Sequence, residues 1–328
     1  ISISPLVTAA LSETSVLIQG MEKKTIAVRF DNHGATPSQY QASIKSTKDW
    51  NIQPAVLNLD FSSRSSIDTT LSIQAAHAEA KTEKIAFTIN GDSLRSFQEL
   101  SYDHIPTITW FPEAAFTLRP LALHVPVKKV AYIHGAGDLV PESLRNIGIQ
   151  VDVLKSEDMN PTLLMGYEAI IIGVRKLNVD KNNSKQQQLL KQFAEQGGTV
   201  LYQYNVNNVD DINKIGPYPF TLSRARTTEE DALVTFTLPA DPALNFPNKI
   251  SAQDFDGWVQ ERGLYFAENI DSRYRTPLLM NDKNETAHAG SLLIAPVGKG
   301  KFVYTSLSFF RQLPAGVPGA YRLFANLL

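Results

Sequence analysis

The residues best suited to chemistry in this 328-residue chain follow apolar runs in its second half. Arg175 follows "IIIGV", Tyr204 and Asn205 end the run "TVLYQYN", and Arg311 comes shortly after "FVYTSL". Because ligands bind outside the carboxyl ends of the strands in an open α/β sheet, we expect these side chains at one cleft. A guanidinium matches a carboxylate in geometry as well as in charge. The pattern therefore predicts a site for a carboxylate, a sulfate or an acidic sugar.

Three further segments mix aromatic, arginine and glycine residues: "GPYPFTLSRAR", "DFDGWVQERGLYF" and "SFFRQLPAGVPGAYRLF". Segments of this kind often build pockets, and we expect Arg311 to make the bidentate contact beside a stacking face of Trp258 and Tyr265. The alternative is structural: a buried ionic network that pairs Arg224, Arg226, Arg262 and Arg311 with Glu261, Asp254 and Asp256. The predicted ligand-binding set comprises Arg175, Tyr204, Asn205, Arg224, Trp258, Glu261, Arg262 and Arg311.

The stretch "VAYIHGAGDLVPESL" has the order strand, glycine turn, helix that is typical of a dinucleotide-binding turn. Val140 stands where a third glycine would let the helix pack closely, and Asp138 stands where a phosphate would bind. A carboxylate there satisfies the same N–H donors as an anionic ligand. We therefore predict a capped strand-to-helix turn. Nucleotide binding is the alternative, favoured by Glu157 at roughly the 20-residue spacing of a ribose-binding acid.

Composition excludes several functions. The chain has no cysteine, which rules out disulfides, thiolate catalysis and zinc–cysteine sites. A net charge of -2 gives no electrostatic case for nucleic acid or an anionic membrane, and no apolar run approaches a membrane span. There is no G-x-S-x-G elbow, so we predict no catalytic residue, metal or cofactor. The six histidines are scattered along the chain: His33, His77, His104, His124, His134 and His288. A role in a site is an alternative only for His134, which follows a strand.

The two halves differ in pattern. From Ser15 to Asn90, short valine-, isoleucine- and threonine-rich strands alternate with turns, which predicts an all-β sandwich with Trp50 packed between its sheets. Four prolines interrupt the stretch from Ile105 to Val127, which predicts a linker. Beyond it, strands and helices alternate, which predicts a parallel sheet covered by helices. The predicted domains are 1–104, a linker at 105–127, and 128–328.

The dense segments, together with "VAYIHGAGDLVPESLRNIG" and "GVRKLN", resemble the C-terminal region of bacterial PIG-L-type (LmbE-like) deacetylases over essentially the whole chain. These enzymes are zinc-dependent N-acetyl sugar deacetylases. The resemblance implies an immunoglobulin-like accessory sandwich followed by an α/β, flavodoxin-like domain of the class I glutamine-amidotransferase type. The His-Pro-Asp-Asp-Glu metal motif of the deacetylases is absent here. The amidotransferase triad is missing as well, because Tyr204 and Asn205 stand where its cysteine would be.

The resemblance therefore implies a noncatalytic binding region of an exported sugar-processing protein, with an upstream deacetylase domain, a glycan or a small acid as partner. The chain starts at Ile1 without methionine or a signal-like segment, so we expect a mature product or a fragment. The alternative is an enzyme in its own right, a hydrolase or transferase that uses Arg175, Tyr204, Glu261 and Arg311. Convergence of these four side chains around an unpaired carboxylate would distinguish the two hypotheses.

Overall fold

The structure, a computed structural model, describes residues 5–36, 38–45, 47–180, 184–207, 212 and 215–328, apart from the side chain of Ser184. The described chain is mostly β, with 38% of residues in strands and 16% in helices. It divides into two compact units between Ala122 and Leu123. No helix in the described ranges is long and apolar enough to cross a membrane.

The first unit is all β. One sheet has the order β1-β3-β7-β5, a second has the order β2-β12-β8-β4-β6 with β9 beside β8, and β10 and β11 form a separate hairpin. The strands are β1 (Val7–Leu11), β2 (Ser15–Gln19), β3 (Lys24–Asn32), β4 (Gln39–Ile44), β5 (Trp50–Gln53), β6 (Val56–Asp60), β7 (Ser66–Ala75), β8 (Glu83–Ile89), β9 (Asp92–Ser93), β10 (Gln98–Tyr102), β11 (Ile105–Trp110) and β12 (Ala115–Leu121).

The core of this unit lies between its two larger sheets. Alternate residues of β3 are buried, which is the period-two pattern expected of a half-buried strand. Phe30 on β3 meets Phe87 on β8 edge to face, with ring centroids 5.7 Å apart, so the two sheets share one core. Trp50 lies in that core as predicted, and its indole N–H donates to the carbonyl of Lys81 at 2.9 Å.

The stretch 105–127, predicted as a linker, mostly belongs to the first unit. β11 pairs with β10, and β12 pairs with both β2 and β8. In the sequence, the prolines of this stretch argue against strands, because proline cannot donate a hydrogen bond to a neighbouring strand. However, β8 pairs with β12 only as far as Leu118, so Pro120 lies where β12 has a neighbour on one side only and its missing N–H costs little.

The second unit contains a six-stranded sheet of order β14-β13-β15-β16-β24-β23, in which the first five strands are parallel and β23 is antiparallel to β24. Three two-stranded ladders, β17–β21, β18–β20 and β19–β22, come between β16 and β24 in sequence. Its strands are β13 (Lys129–Ile133), β14 (Gln150–Leu154), β15 (Ala169–Ile172), β16 (Thr199–Tyr202), β17 (Thr221–Leu222), β18 (Arg226–Thr227), β19 (Val234–Phe236), β20 (Gly263–Leu264), β21 (Ala267–Glu268), β22 (Leu278–Met280), β23 (Leu292–Val297) and β24 (Gly300–Thr305).

The central strands β15 and β16 are buried at every position, because helices and loops cover both faces of a parallel sheet. The sequence "SLLIAP", "VGKG" and "KFVYTSL" predicts an antiparallel hairpin, and these segments form β23 and β24. The sequence also predicts Ser184 as the N-cap of the helix that ends near Gln196, but the side chain of Ser184 lies outside the described ones. The helices are α1 (Val140–Arg145), α2 (Pro161–Leu164), α3 (Lys176–Val179), α4 (Ser184–Glu195), α5 (Pro242–Asn245), α6 (Phe309–Gln312) and α7 (Pro318–Leu327), with short 3₁₀ turns at Ser156–Asp158 and Ala252–Phe255.

Candidate functional site

A cleft of about 530 Å³ lies at the carboxyl edge of the sheet in the second unit. One side follows the sheet strands: Arg175 comes after β15, and Val206 and Asn207 come after β16. The other side comes from the β18–β20 ladder and its flanks. The lining residues are Arg175, Val206, Asn207, Arg224, Arg226, Leu264 and Tyr265. This volume falls in the range of small-molecule sites.

Two residues of the cleft have a left-handed backbone. Arg175 has φ 56° and Tyr265 has φ 55°, a conformation that costs side-chain-bearing residues of order 1 kcal/mol or more. Tertiary hydrogen bonds hold both in place. The N–H of Arg175 donates to the carbonyl of Tyr204 at 2.8 Å, and the hydroxyl of Ser306 donates to the carbonyl of Tyr265 at 3.1 Å. Strained backbone of this kind is concentrated at functional sites.

The cleft carries three arginines, and all three are exposed: Arg175, Arg224 and Arg226. Within the described part of the chain, none of them forms an ion pair with an acid. Arg226 helps to keep the pKa of Asp282 below its ordinary value, so one carboxylate is within its electrostatic reach. Among the described residues, the cleft is therefore electropositive, and no ion pair neutralises its three arginines.

An aromatic group stands beside the arginines. The rings of Tyr204 and Tyr265 are nearly parallel, at an interplanar angle of 6° with centroids 6.3 Å apart, and Phe310 contacts Tyr204 at 5.1 Å. Burial raises the pKa of Tyr204, while the charges of Arg175 and Arg311 oppose that rise. The phenol is thus neutral at pH 7 and lies close to two basic side chains.

Glu261 and Arg311 form an ion pair next to this tyrosine. The Nε of Arg311 donates to Oε1 of Glu261 at 2.5 Å, and the guanidinium lies 4.9 Å from the ring centre of Phe310. The side chain of Glu261 is 13% exposed and that of Arg311 is 36% exposed. Glu261 therefore engages the Nε of Arg311, and the bidentate contact from Arg311 to a ligand, which would use its two Nη groups, stays a prediction.

The structure thus brings five of the eight predicted site residues to one region. Arg175 and Arg224 line the cleft itself. Tyr204, Glu261 and Arg311 lie next to it, and the charges of Arg175, Arg311 and Glu261 all act on the pKa of Tyr204. The carboxylate in this group is paired, so the condition for the enzyme alternative, an unpaired acid, is not met by these residues.

Three predicted residues are structural instead, which corrects their assignment to the ligand. Asn205 is fully buried, and its Oδ1 accepts the N–H of Leu177 at 3.0 Å, so it fixes the start of α3. Arg262 is 4% exposed and its guanidinium donates to the carbonyls of Ala232 and Phe255.

Trp258 is 2% exposed, stacks on Phe255 at 5.3 Å and donates its indole N–H to the carbonyl of Asp254 at 2.9 Å. It therefore offers no stacking face to a ligand. The ionic-network alternative holds in part, since Arg311 pairs with Glu261 and Arg322 pairs with Asp254.

Asp138 occupies the glycine turn after β13. Its Oδ1 accepts the N–H of Val140 at 3.0 Å, and both of its oxygens accept the hydroxyl of Tyr132 at 2.6 Å. Gln203 in turn donates to that hydroxyl at 2.9 Å. The carboxylate thus takes the donors that a phosphate would need, in agreement with the capped-turn prediction. His134 is exposed and contacts the ring of Tyr132, and it is not among the residues that line the cleft.

Sequence reasoning left Arg226 and Leu264 out of the site. Arg224 and Arg226 are two residues apart, and side chains at this spacing in extended chain share a face. Because Arg224 was predicted at the site, this spacing could have identified Arg226 as well. Leu264 enters because β20 pairs with β18, a long-range contact that no local pattern shows. In the described ranges, no group of three or more histidine, aspartate and glutamate side chains is arranged to hold a metal ion.

No family model matches the chain, and no curated protein matches it. Solved structures match in part. The exo-β-1,4-mannosidase Op5Man5 from Opitutaceae bacterium strain TAV5 is 14% identical, with 62% of this chain and 36% of that one covered and a TM-score of 0.35. The cold-adapted β-galactosidase from Rahnella sp. R3 is 15% identical, with 61% and 31% covered and a TM-score of 0.36.

WR4, an MSP family member from C. elegans, is 10% identical, with 34% of this chain and 97% of that one covered and a TM-score of 0.22. The chain spans about a third of the length of the two glycosidases. At these identities and TM-scores, the similarities carry no argument about activity.

Proposed function

We propose that the second unit is a noncatalytic module that binds an anionic glycan or a small acidic ligand in the strand-end cleft. The observation that carries the proposal is the set of three exposed arginines without an ion-pair partner among the described residues: Arg175, Arg224 and Arg226. Like charges held on one surface repel each other, and a bound anion removes that repulsion. Leu264 and Tyr265 add an apolar and aromatic wall that suits the body of a sugar.

The pairing of Glu261 favours binding over catalysis. A general acid or base in a hydrolase must exchange a proton with the substrate, and its carboxylate needs to be free to do so. Here, the carboxylate next to Tyr204 and Arg311 is engaged by Arg311 at 2.5 Å. The role of these three residues in the proposal is to fix the wall of the cleft.

The sheet order supports a flavodoxin-like domain of the class I glutamine-amidotransferase type. Numbered along the chain, the five parallel strands β13, β14, β15, β16 and β24 stand in the order 2-1-3-4-5. This is the flavodoxin-like order, whose switch point lies between the first and third strands, here β13 and β15. Arg175 follows β15 at that point. In our proposal, this domain and the sandwich are accessory modules of an exported sugar N-deacetylase, with the upstream catalytic domain as partner.

The binding proposal is tested by calorimetric titration of the full chain with glucuronate, sulfate and neutral N-acetylglucosamine. We expect the anions to bind and the neutral sugar to bind much more weakly. Replacing Arg224 with alanine removes a charge-assisted contact of about 1.5 to 3 kcal/mol, so affinity drops by roughly 10- to 150-fold. Arg64→Ala changes the net charge equally in the first unit and is the matched control. If no anion binds, or both variants behave alike, the proposal is wrong.

The deacetylase context has a separate test. The complete reading frame around this chain is sequenced and searched for a His-Pro-Asp-Asp-Glu motif upstream of Ile1. Its presence is the expected result. A complete frame that lacks the motif refutes the deacetylase context and leaves the anion-binding proposal standing.

A further inference from the structure

We infer that the ligand of the strand-end cleft is a sugar that carries a phosphate monoester, a group with two negative charges, rather than a single carboxylate or sulfate. This inference rests on the proposed function, because it names the ligand class of the same cleft. It depends on three features of the described residues, namely the charge balance, the directions from which the arginines reach the cleft, and the composition of its wall.

The charge balance leaves two positive charges to be matched. Arg311 lies next to the cleft, but Glu261 neutralises it at 2.5 Å. Arg226 has the carboxylate of Asp282 within electrostatic reach. The charges of Arg175 and Arg224 have no counterpart in the part of the chain that the structure describes. A monoanion leaves one of them unmatched, whereas a phosphate monoester, with a charge of about -2 at neutral pH, matches both.

The arginines come from different elements. Arg175 precedes α3 in the loop after the sheet strand β15, whereas Arg224 and Arg226 come from the separate β17–β18 segment of the lining. A planar carboxylate offers two oxygens in one plane. A phosphate monoester has three terminal oxygens in a tetrahedral arrangement, so it can accept from guanidinium groups that approach from separate directions.

The cleft is also larger than an isolated phosphate requires. Its volume of about 530 Å³ leaves room for an attached sugar ring. Val206, Leu264 and Tyr265 form the apolar and aromatic part of the lining, and Asn207 adds an exposed amide that can bond to hydroxyl groups. Tyr265 is fixed by the hydrogen bond from Ser306 and lies parallel to Tyr204. A carbohydrate ring suits an ordered aromatic face with a polar group beside it.

The test compares glucose 6-phosphate with glucose 6-sulfate by calorimetry on the full chain at fixed salt. The two probes have the same sugar and the same tetrahedral group, but they differ by one charge. We expect glucose 6-phosphate to bind at least about tenfold more tightly, equal to about 1.4 kcal/mol. Arg224→Ala should reduce that preference to less than about threefold. Arg224→Lys keeps the charge and should retain most of the preference for the phosphate ester. Arg64→Ala should leave this preference unchanged.

The outcomes separate the two proposals. Equal affinity for the sulfate and phosphate esters overturns this inference, but the anion-binding function survives. Equal affinity for glucose 6-phosphate and inorganic phosphate also overturns it, because the sugar then makes no contact. If neither ester nor any simple anion binds, the proposed function fails too. Thermal unfolding of each variant establishes that it is folded, and Arg224 is exposed and makes no ion pair with a described acid, so its replacement should not prevent folding.

Discussion

Breaking the Arg311–Glu261 pair should destabilise the second unit in an asymmetric way. Removing the arginine with Arg311→Ala leaves a carboxylate that is only 13% exposed without its partner. Removing the charge of the acid with Glu261→Gln leaves an arginine that is 36% exposed and can turn toward water. An unpaired charge costs more the less solvent it reaches. We therefore expect Arg311→Ala to be the more damaging change.

The magnitude follows from the geometry. Hydrogen bonds between charged groups contribute about 1.5 to 3 kcal/mol, and exposed ion pairs contribute about 0.2 to 1 kcal/mol. This pair is short but partly exposed, so we expect a coupling energy of about 1 to 2 kcal/mol. Arg311→Ala also loses the contact with the ring of Phe310, which brings its total cost to about 2 to 3 kcal/mol. For a unit of roughly 200 residues, this lowers the Tm by roughly 4 to 12 °C.

The assay is a double-mutant cycle of Arg311→Ala, Glu261→Gln and the combined variant, followed by circular dichroism during thermal and urea unfolding. The cycle isolates the pairwise energy from the loss of each side chain alone. A coupling energy below about 0.3 kcal/mol would refute the reasoning, because the pair would then contribute no more than a solvated surface contact. A greater loss of stability in Glu261→Gln than in Arg311→Ala would refute the asymmetry.

Three other predictions concern the second unit. Gly135→Ala places a Cβ at 2.0 Å from the carbonyl oxygen of Val174, so urea unfolding should show a free energy of unfolding lower by several kcal/mol. Gly137→Ala meets no atom within 4 Å, and its cost comes only from the positive φ of this position. Burial lowers the pKa of Lys301 from 10.5 to about 8 in the folded chain. Between about pH 8 and 10.5 the unfolded chain therefore binds more protons than the folded chain, so the free energy of unfolding rises with pH in this range. Lys301→Met should abolish this rise, measured as Tm, and should raise the Tm at pH 7. The fragment 123–328 should unfold cooperatively when expressed alone, and a molten product would contradict its independence.

Sequence pattern identified the sheet of the second unit because its strands are unusually apolar. "AIII" and "TVLY" are buried at every position, and a short, nearly continuous apolar run is typical of a strand in a parallel sheet. The hairpin β23–β24 was equally visible, since "VGKG" supplies its turn. Local sequence signals were enough here, because the apolar residues of each strand already indicate that the strand is buried.

The same reasoning failed between Ile105 and Leu121. β11 is exposed along almost its whole length, so it lacks the alternation that marks a half-buried strand. β12 does alternate, but its proline suggested a break. β11 is defined by its exposed hairpin with β10, which buries no apolar face. β12 is defined by β2 and β8, and the partner β2 is distant in sequence and leaves no local trace.

At the site, strand-end position proved more informative than residue type. Arg175 and Tyr204 follow sheet strands, and they lie at or next to the cleft. Trp258 and Arg262 were chosen because aromatic and arginine side chains often bind ligands, yet both are buried and satisfied by neighbouring carbonyls. In "DFDGWVQERGLYF", which lacks a regular period, the sequence does not show which side chains face inward.

The distribution of carboxylates explains why the arginines near β15 and β18 differ from others at the same sheet edge. After β13, Asp138 accepts the N–H of Val140 in the turn and the N–H of Val174 after β15 from within the chain. After β24, Glu261 engages Arg311. At these two places the protein supplies its own anion, so a charge-removing substitution there changes the stability of the fold. Arg175 and Arg224 lack such an internal anion among the described residues, and a substitution there should change the affinity for an external one instead.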